Sequence, residues 1–230
     1  MENRKIQSGR RYFWSFVIAT VLFVLVIYSS YFFSYVELKR VSNLQEDVAY
    51  EIFEDKLDYT LFEKNVCGGE VFEEVSKDLN FQGRIIDDLE KKFGKNNEDV
   101  LFQKKFYTLV ELEHLEFINI LNDQCDLGMA TILFFYSNEE KGIEQSEEVG
   151  RLLNTVYARN SDSLLIYSFD VNLDSNLISK LKLKYDISES PVIVVNEKIK
   201  IFNPQNLEEI EQTLEKSEDE SDGSSIIYLN

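Results

Sequence analysis

Proline and glycine are scarce in this chain, with 2 prolines and 9 glycines among 230 residues. So few turn-forming residues argue against a loop-rich protein, and the sequence contains no internal repeat. Because 44% of the residues are apolar, a substantial core can be buried. The length and composition therefore predict one medium-sized domain with an accessory segment.

Cysteine and histidine are also rare, and neither occurs in a metal-binding pattern. Cys67 and Cys125 do not form a C-x-x-C pair, and two thiols alone make a weak zinc site. The sole histidine, His114, has no cysteine or second histidine at ligand spacing. We expect His114 to be a polar residue on a helix face, and we predict no metal site.

Catalytic motifs are missing as well. No serine lies in a G-x-S-x-G elbow, and no glycine-rich loop is suited to cradle phosphate. With 42 acidic residues, carboxylate pairs occur at any spacing, so a solvated surface explains them better than acid–base catalysis. The sequence predicts no catalytic residue and no cofactor, and no small-molecule substrate is evident.

Positive charge is concentrated at the N-terminus. Four of the 24 basic residues and one of the 42 acidic residues precede residue 12, which leaves 20 cations against 41 carboxylates, a net charge of −21, in the rest of the chain. Phosphate backbones would be repelled, so we exclude nucleic acid as a partner. The acidic surface would also be pushed away from anionic lipid headgroups.

Residues 12–36 contain no charged residue and carry aromatic side chains at both ends. As a helix they would span about 37 Å, against about 30 Å of bilayer hydrocarbon. A cleaved signal peptide would have a shorter apolar region and would end at small residues, whereas this segment ends in the bulky SSYFFSYVE. We predict an uncleaved transmembrane helix and a lipid bilayer as partner, in preference to a signal peptide or a buried soluble helix.

The flanking charges predict the orientation in the cell membrane. Arg4, Lys5, Arg10 and Arg11 precede the span, whereas only Lys39 and Arg40 follow it closely. By the positive-inside rule, residues 1–11 form a cytoplasmic N-terminus and residues 37–230 lie outside the cytoplasm or in an organellar lumen.

Residues 37–125 have the apolar spacing of three helices, with breaks predicted at Gly68-Gly69 and at Gly94. Asn96-Asn97 are predicted to cap the third helix. If these helices alternate in direction, Cys67 and Cys125 come together at the ends of the first and the third. A disulfide there would close a loop of about 58 residues and contribute about 4 kcal/mol in the chain-entropy model. The alternative is two unrelated buried thiols. Non-reducing peptide mapping of protein from its native membrane distinguishes them, and free thiols would contradict the disulfide.

From residue 130 the pattern changes to strands alternating with helices. The order over residues 130–216 is β-α-β-α-β-β-α, which predicts an α/β domain with a four-stranded mixed sheet and helices on both faces. The spacing of Asn196-Glu197-Lys198 predicts a tight hairpin between the last two strands. Asn203 and Pro204 are predicted to begin the last helix. Residues 217–230 are acidic and rich in serine, so we expect a disordered tail. Its apolar end, from Ile226 to Leu229, is suited to dock on a partner or on the domain itself.

Three stretches of this domain resemble the thioredoxin-like superfamily. FFYSN leads from the first strand into a loop, SFDVN ends the second strand, and YDISESPVIVVN places Pro191 directly before the third. The anchor, helical segment and C-terminal domain together resemble a group of uncharacterised archaeal membrane proteins with a thioredoxin-like C-terminus. The resemblance to the thioredoxin-like superfamily covers about residues 130–216 and implies the thioredoxin fold.

The resemblance places Gly142 and Gln145 where active relatives carry the two cysteines of C-x-x-C. Neither side chain can attack a disulfide, and the surrounding glutamates would destabilise a thiolate. We expect a redox-inactive domain. The resemblance also implies that Ser190 and Pro191 form a cis-proline groove that pairs with an extended peptide. The alternative is that Pro191 is only inherited loop geometry.

Three hypotheses for function follow from these features. The first is a membrane-anchored, non-catalytic module that binds an extended peptide or scaffolds a protein partner outside the cytoplasm. The second is a thiol-disulfide oxidoreductase that uses Cys67 and Cys125 as an off-site pair. The third is a structural subunit whose helices mediate oligomerisation. The absence of C-x-x-C favours the first hypothesis.

Overall fold

A computed structural model describes residues 2–62, 70–125, 127–219 and 227–229. The chain divides into two compact units, Met1–Leu44 and Gln45–Asn230. The helices are α1 (Glu2–Phe62), α2 (Glu70–Phe93), α3 (Glu98–Cys125), α4 (Ile143–Arg159), α5 (Asn176–Lys184) and α6 (Leu207–Asp219). The strands are β1 (Ala130–Tyr136), β2 (Leu164–Asp170), β3 (Val192–Val195), β4 (Ile199–Phe202) and β5 (Ile227–Leu229).

The N-terminal unit belongs to α1, the one helix in the described part of the chain that is long and apolar enough to cross a membrane. The most apolar stretch of this helix has a mean hydropathy of 2.3 and contains no buried residue. The hydroxyls of Thr20 and Ser29 donate to the carbonyls of Phe16 and Leu25, one turn earlier, at 2.9 and 2.8 Å. Because these hydroxyls are satisfied within the helix, apolar surroundings cost them little. The helix is compatible with a transmembrane segment.

From Gln45 onward, the residues of α1 belong to the second unit, and some of the apolar ones are buried there. Ala49 and Ile52 are buried in a core that also contains residues of α2 and α3. Gln45 Nε2 donates to the carbonyl of Gln103 on α3 at 3.1 Å. The predicted break at Gly68-Gly69 and the residue Cys67 lie outside the described residues.

The turn between α2 and α3 contains the predicted glycine and the predicted asparagine cap. Gly94 has a φ of +93°, which favours glycine because it has no Cβ. Asn97 Oδ1 accepts from the backbone N–H groups of Asp99 at 3.0 Å and Val100 at 3.2 Å. The prediction that Gly94 ends α2 is confirmed. Of the predicted cap at Asn96-Asn97, Asn97 is the residue that caps α3.

The four strands of the predicted mixed sheet are present in the order β2-β1-β3-β4, and β5 adds a fifth strand beside β4. β1 pairs parallel with β2 and antiparallel with β3, and β3 pairs antiparallel with β4. β2 is therefore one edge of the sheet. The tight hairpin between β3 and β4 is also confirmed, with Asn196 and Glu197 in the left-handed region at φ +47° and +55°.

Helices cover both faces of the sheet, as predicted. Ile132 and Phe134 of β1 face a core formed with α4 and α6. Leu133 and Phe135 face the opposite core, formed with α5 and with residues of α1, α2 and α3. Each fully buried aliphatic side chain contributes about 1.5–3 kcal/mol. The helical segment thus completes one of the two cores of the α/β domain.

The C-terminal end differs from the sequence prediction in two places. The last helix begins at Leu207, with Asn206 Oδ1 accepting from Glu209 N at 2.9 Å, so the predicted start at Asn203 and Pro204 is wrong. Asn203 has a φ of +43° and its N–H donates to the Pro191 carbonyl at 2.9 Å, a conformation that cannot cap a helix. Within the predicted disordered tail, α6 continues to Asp219, and β5 pairs parallel with β4.

His114 lies on α3, as expected, and it is buried, with 1% of its surface exposed. Its ring nitrogens are hydrogen-bonded to Ser76 Oγ at 3.1 Å and Tyr167 OH at 2.8 Å. A neutral imidazole donates at one nitrogen and accepts at the other. Burial lowers the pKa of His114 from 6.5 to about 3, so the ring stays neutral in the folded protein.

We predict that His114→Leu destabilises the protein by about 1–3 kcal/mol at pH 7.5, because Ser76 and Tyr167 lose a partner. Since the folded pKa lies below the unfolded one, the contribution of His114 is present above pH 6.5 and is lost as the pH falls toward 3. The difference between the two proteins should therefore shrink by about 1.4 kcal/mol per pH unit below 6.5.

Melting of the full chain in detergent micelles at pH 7.5 and 5.5, followed by tyrosine near-UV circular dichroism, measures this difference. Taking the difference cancels the contributions of other titrating groups. A deficit that is equal at both pH values would contradict the buried neutral imidazole.

Candidate functional site

The two halves of the predicted groove lie side by side. The loop after β1 ends at Gly142, and α4 begins at the next residue without a side-chain cap. A Cβ on Gly142 would lie 2.9 Å from Ser137 Cβ and 4.0 Å from Ser190 Oγ. The first contact is too close for a side chain, so this position accommodates only glycine without a shift of Ser137. The structure thus brings Gly142 next to Ser190, and Gln145 is exposed on the first turn of α4.

The Ser190–Pro191 peptide bond is cis. The carbonyl of Pro191 accepts from Asn203 N at 2.9 Å, which ties this loop to the end of β4. In the described part of the chain, no hydrogen bond joins the backbone of Ser190 to another backbone group. Ser190 is half-buried, and Ser188 and Glu189 beside it are exposed. An extended peptide could pair with this backbone.

The serine hydroxyls of the loop form hydrogen bonds that fix its conformation. Ser137 Oγ donates to Asn172 Oδ1 at 2.7 Å and accepts from Glu139 N at 3.1 Å. Ser146 Oγ accepts from Ser137 N at 3.0 Å. A serine nucleophile needs a base to take its proton, and an amide oxygen is not one. These contacts hold the loop and activate no nucleophile.

A cluster of buried charges, formed by Glu90, Lys104 and Asp170, lies beside this loop. Lys104 Nζ donates to Glu90 Oε1 and, at 2.6 Å, to Asp170 Oδ2. Lys104 is only 4% exposed, and both carboxylates are buried. Burying three charges is favourable only when each is paired, and here one cation serves two carboxylates.

Asn138 joins the buried charge cluster to the loop. Its Nδ2 donates to Asp170 Oδ2 at 3.0 Å and to Glu90 Oε1 at 3.3 Å, and its Oδ1 accepts from Lys95 Nζ at 2.9 Å. Asp170 ends β2 and Asn138 follows β1, so the cluster lies at the carboxyl ends of the two parallel strands. Ligand sites of open α/β sheets commonly form at this edge.

Sequence reasoning missed the buried charge cluster because it counted the carboxylates as solvated surface. A signal was present: Lys104, Thr108 and Glu111 recur at helical spacing along α3, together with His114, and all four are buried. A polar stripe on a helix face that packs against a core needs partners from other elements. Among the described residues, no group of three or more His, Cys, Asp or Glu side chains is placed to hold a metal ion.

The predicted disulfide stays a prediction, because Cys125 ends α3 while Cys67 lies outside the described residues. The chain matches no protein-family model. It also matches no curated protein sequence.

We predict that Lys104→Met destabilises the protein by about 3–5 kcal/mol, because Glu90 and Asp170 are then buried without a counter-charge. Lys91→Met is the matched control, since it removes a lysine paired with Asp87 on the exposed face of α2 and should change stability little. Replacing all three cluster charges, with Glu90→Gln and Asp170→Asn added to Lys104→Met, should recover part of the loss.

Urea titration of the full chain in micelles, followed by tyrosine near-UV circular dichroism, measures these differences. Equal effects of the Lys104 and Lys91 substitutions would show that the buried charge cluster does not support the fold.

Proposed function

We propose that this chain is a single-pass membrane protein whose residues 130–216 form a redox-inactive, thioredoxin-like binding module. Its N-terminus lies in the cytoplasm and the module lies outside, where it holds an extended segment of a protein partner near the membrane. The lipid bilayer is its second partner, through residues 12–36. The charge flanking the span and the exposed apolar surface of α1 support this topology.

The strand order supports the thioredoxin-like assignment. A parallel pair extended by an antiparallel hairpin, in the order β2-β1-β3-β4 with helices on both faces, is the arrangement of that fold. The loop after β1 and the loop before β3 adjoin at Gly142 and Ser190, where the family carries its thiols and its proline. The arrangement alone does not specify chemistry, because one fold serves many functions.

The single observation that carries the binding proposal is the backbone of Ser190. Its N–H and C=O are not used by neighbouring strands, and the residues before it are exposed. Peptide pairing at such a backbone supplies affinity through main-chain hydrogen bonds, while the side chains around it supply selectivity. The adjacent Gly142 keeps that space open because it has no side chain.

The charge of the surface constrains the partner. Glu139, Glu140, Glu144, Glu147 and Glu148 surround the loop and the first turns of α4. A partner segment with lysine or arginine would be attracted to this surface, and an acidic segment would be repelled. We therefore expect the extended segment to be basic.

Site-specific photo-crosslinking in the native membrane tests the proposal. A photoreactive amino acid at Glu189 or at Gln145 should capture the same protein partner, because both positions border the groove. Leu183 on α5 is the matched control, since it is 82% exposed but lies on another helix, and it should not capture that partner. Equal capture from all three positions, or none from positions 189 and 145, would contradict the proposal.

A further inference from the structure

A cavity of about 410 Å³ lies between α2, α3, α4 and the edge strand β2. Its volume falls in the range of small-molecule sites in proteins. Aromatic rings from three elements line it: Tyr107 of α3, Phe134 of β1 and Tyr157 of α4. Ser190 and Gly142 do not line the cavity, although Ser137 of the adjoining loop does.

Glu111 lines this cavity and is 1% exposed. Its Oε1 accepts from the backbone N–H of Ser168 on the edge strand at 2.8 Å. Its Oε2 is buried and has no hydrogen-bond partner among the described residues. A buried polar atom without a partner costs about 1–3 kcal/mol, so a fold that keeps one calls for an explanation.

Charged side chains of both signs line the cavity. Four carboxylates line it, those of Asp87, Glu90, Glu111 and Glu147, against the three cations Arg84, Lys95 and Lys104. Lys104 is already paired with Glu90 and with Asp170, which lies just behind the wall. Of the two buried carboxylates that line the cavity, Glu90 and Glu111, Glu111 is the one without an ion pair among the described residues.

We propose that the cavity binds a small organic amine as its ammonium ion, with the charge on Glu111 Oε2 and the apolar part against the aromatic rings. An ammonium group supplies both the missing hydrogen bond and the missing charge, and aromatic faces attract cations. Burial raises the pKa of Glu111 from 4.5 to about 8, partly offset by the Ser168 N–H and by Lys104. The Glu111 carboxyl group therefore holds a proton at neutral pH, and the ammonium ion would replace that proton.

A neutral ligand is the competing interpretation, because a protonated Glu111 can donate a hydrogen bond to a hydroxyl or carbonyl oxygen. Tyramine and tyrosol distinguish the two interpretations, since they share one skeleton and differ in carrying an ammonium or a hydroxyl group. Cyclohexylamine and cyclohexanol form a second such pair with a different shape.

Isothermal titration calorimetry of the full chain in micelles, corrected with detergent alone, measures binding of each probe. We expect at least one of the two amines to bind, and to bind about tenfold or more tightly than its alcohol. An alcohol that binds as tightly as its amine, or no binding of either amine at millimolar concentration, would overturn the proposal.

Glu111→Gln tests the assigned residue, because its amide oxygen can still accept from Ser168 while the negative charge is lost. It should weaken amine binding about tenfold or more. Glu116→Gln, the same change at an exposed position of α3, should leave binding unchanged. If Glu111→Gln fails to fold, Asn154→Trp at the exposed rim of the cavity should block binding without changing the core. Full amine affinity in either cavity variant would refute the site.

Discussion

The contact of Lys104 with Glu90 and Asp170 joins α3, α2 and the end of β2 in the interior of this protein. One ammonium group on α3 compensates a carboxylate on α2 and another at the end of β2, all three away from water. A buried carboxylate without a cation is strongly unfavourable, so α2, α3 and the sheet must be in place together. Asn138 extends the same set of contacts to the loop after β1. The helical segment is therefore part of the α/β domain's interior and of the support for its loop.

The contacts with the buried charge cluster explain how the loop after β1, which has no thiols, keeps a defined conformation. Ser137, Asn138, Ser146 and Asn172 bond to one another or to the buried charges, and each contact fixes the path of the chain into α4. A thiolate at a helix N-terminus is stabilised by the helix dipole and by free amides. The head of α4 carries Gly142 with glutamates around it, so the electrostatics oppose a thiolate there. We infer that the surface is suited to bind and not to exchange electrons.

The sequence predicted the features that depend on local chemistry. Apolar runs of strand length, amphipathic helices, the cap at Asn97 and the hairpin at Asn196 each follow from neighbouring residues, and the structure contains them. The features that the sequence reasoning missed depend on residues far apart in the chain. Asp170 lies 66 residues from Lys104, and Tyr167 lies 53 residues from His114, so no periodicity reveals either contact. The last helix was misplaced because Asn203 is held by Pro191 of a neighbouring strand end.

We infer that the head of α4 presents a binding surface without redox chemistry. An insulin-reduction assay on the full chain in micelles, with dithiothreitol as the electron source and a detergent blank, tests this inference. We expect a rate equal to the blank, and the same rate for Cys67→Ser. Turnover above the blank that Cys67→Ser abolishes would overturn the inference and assign the chain to the thiol oxidoreductases.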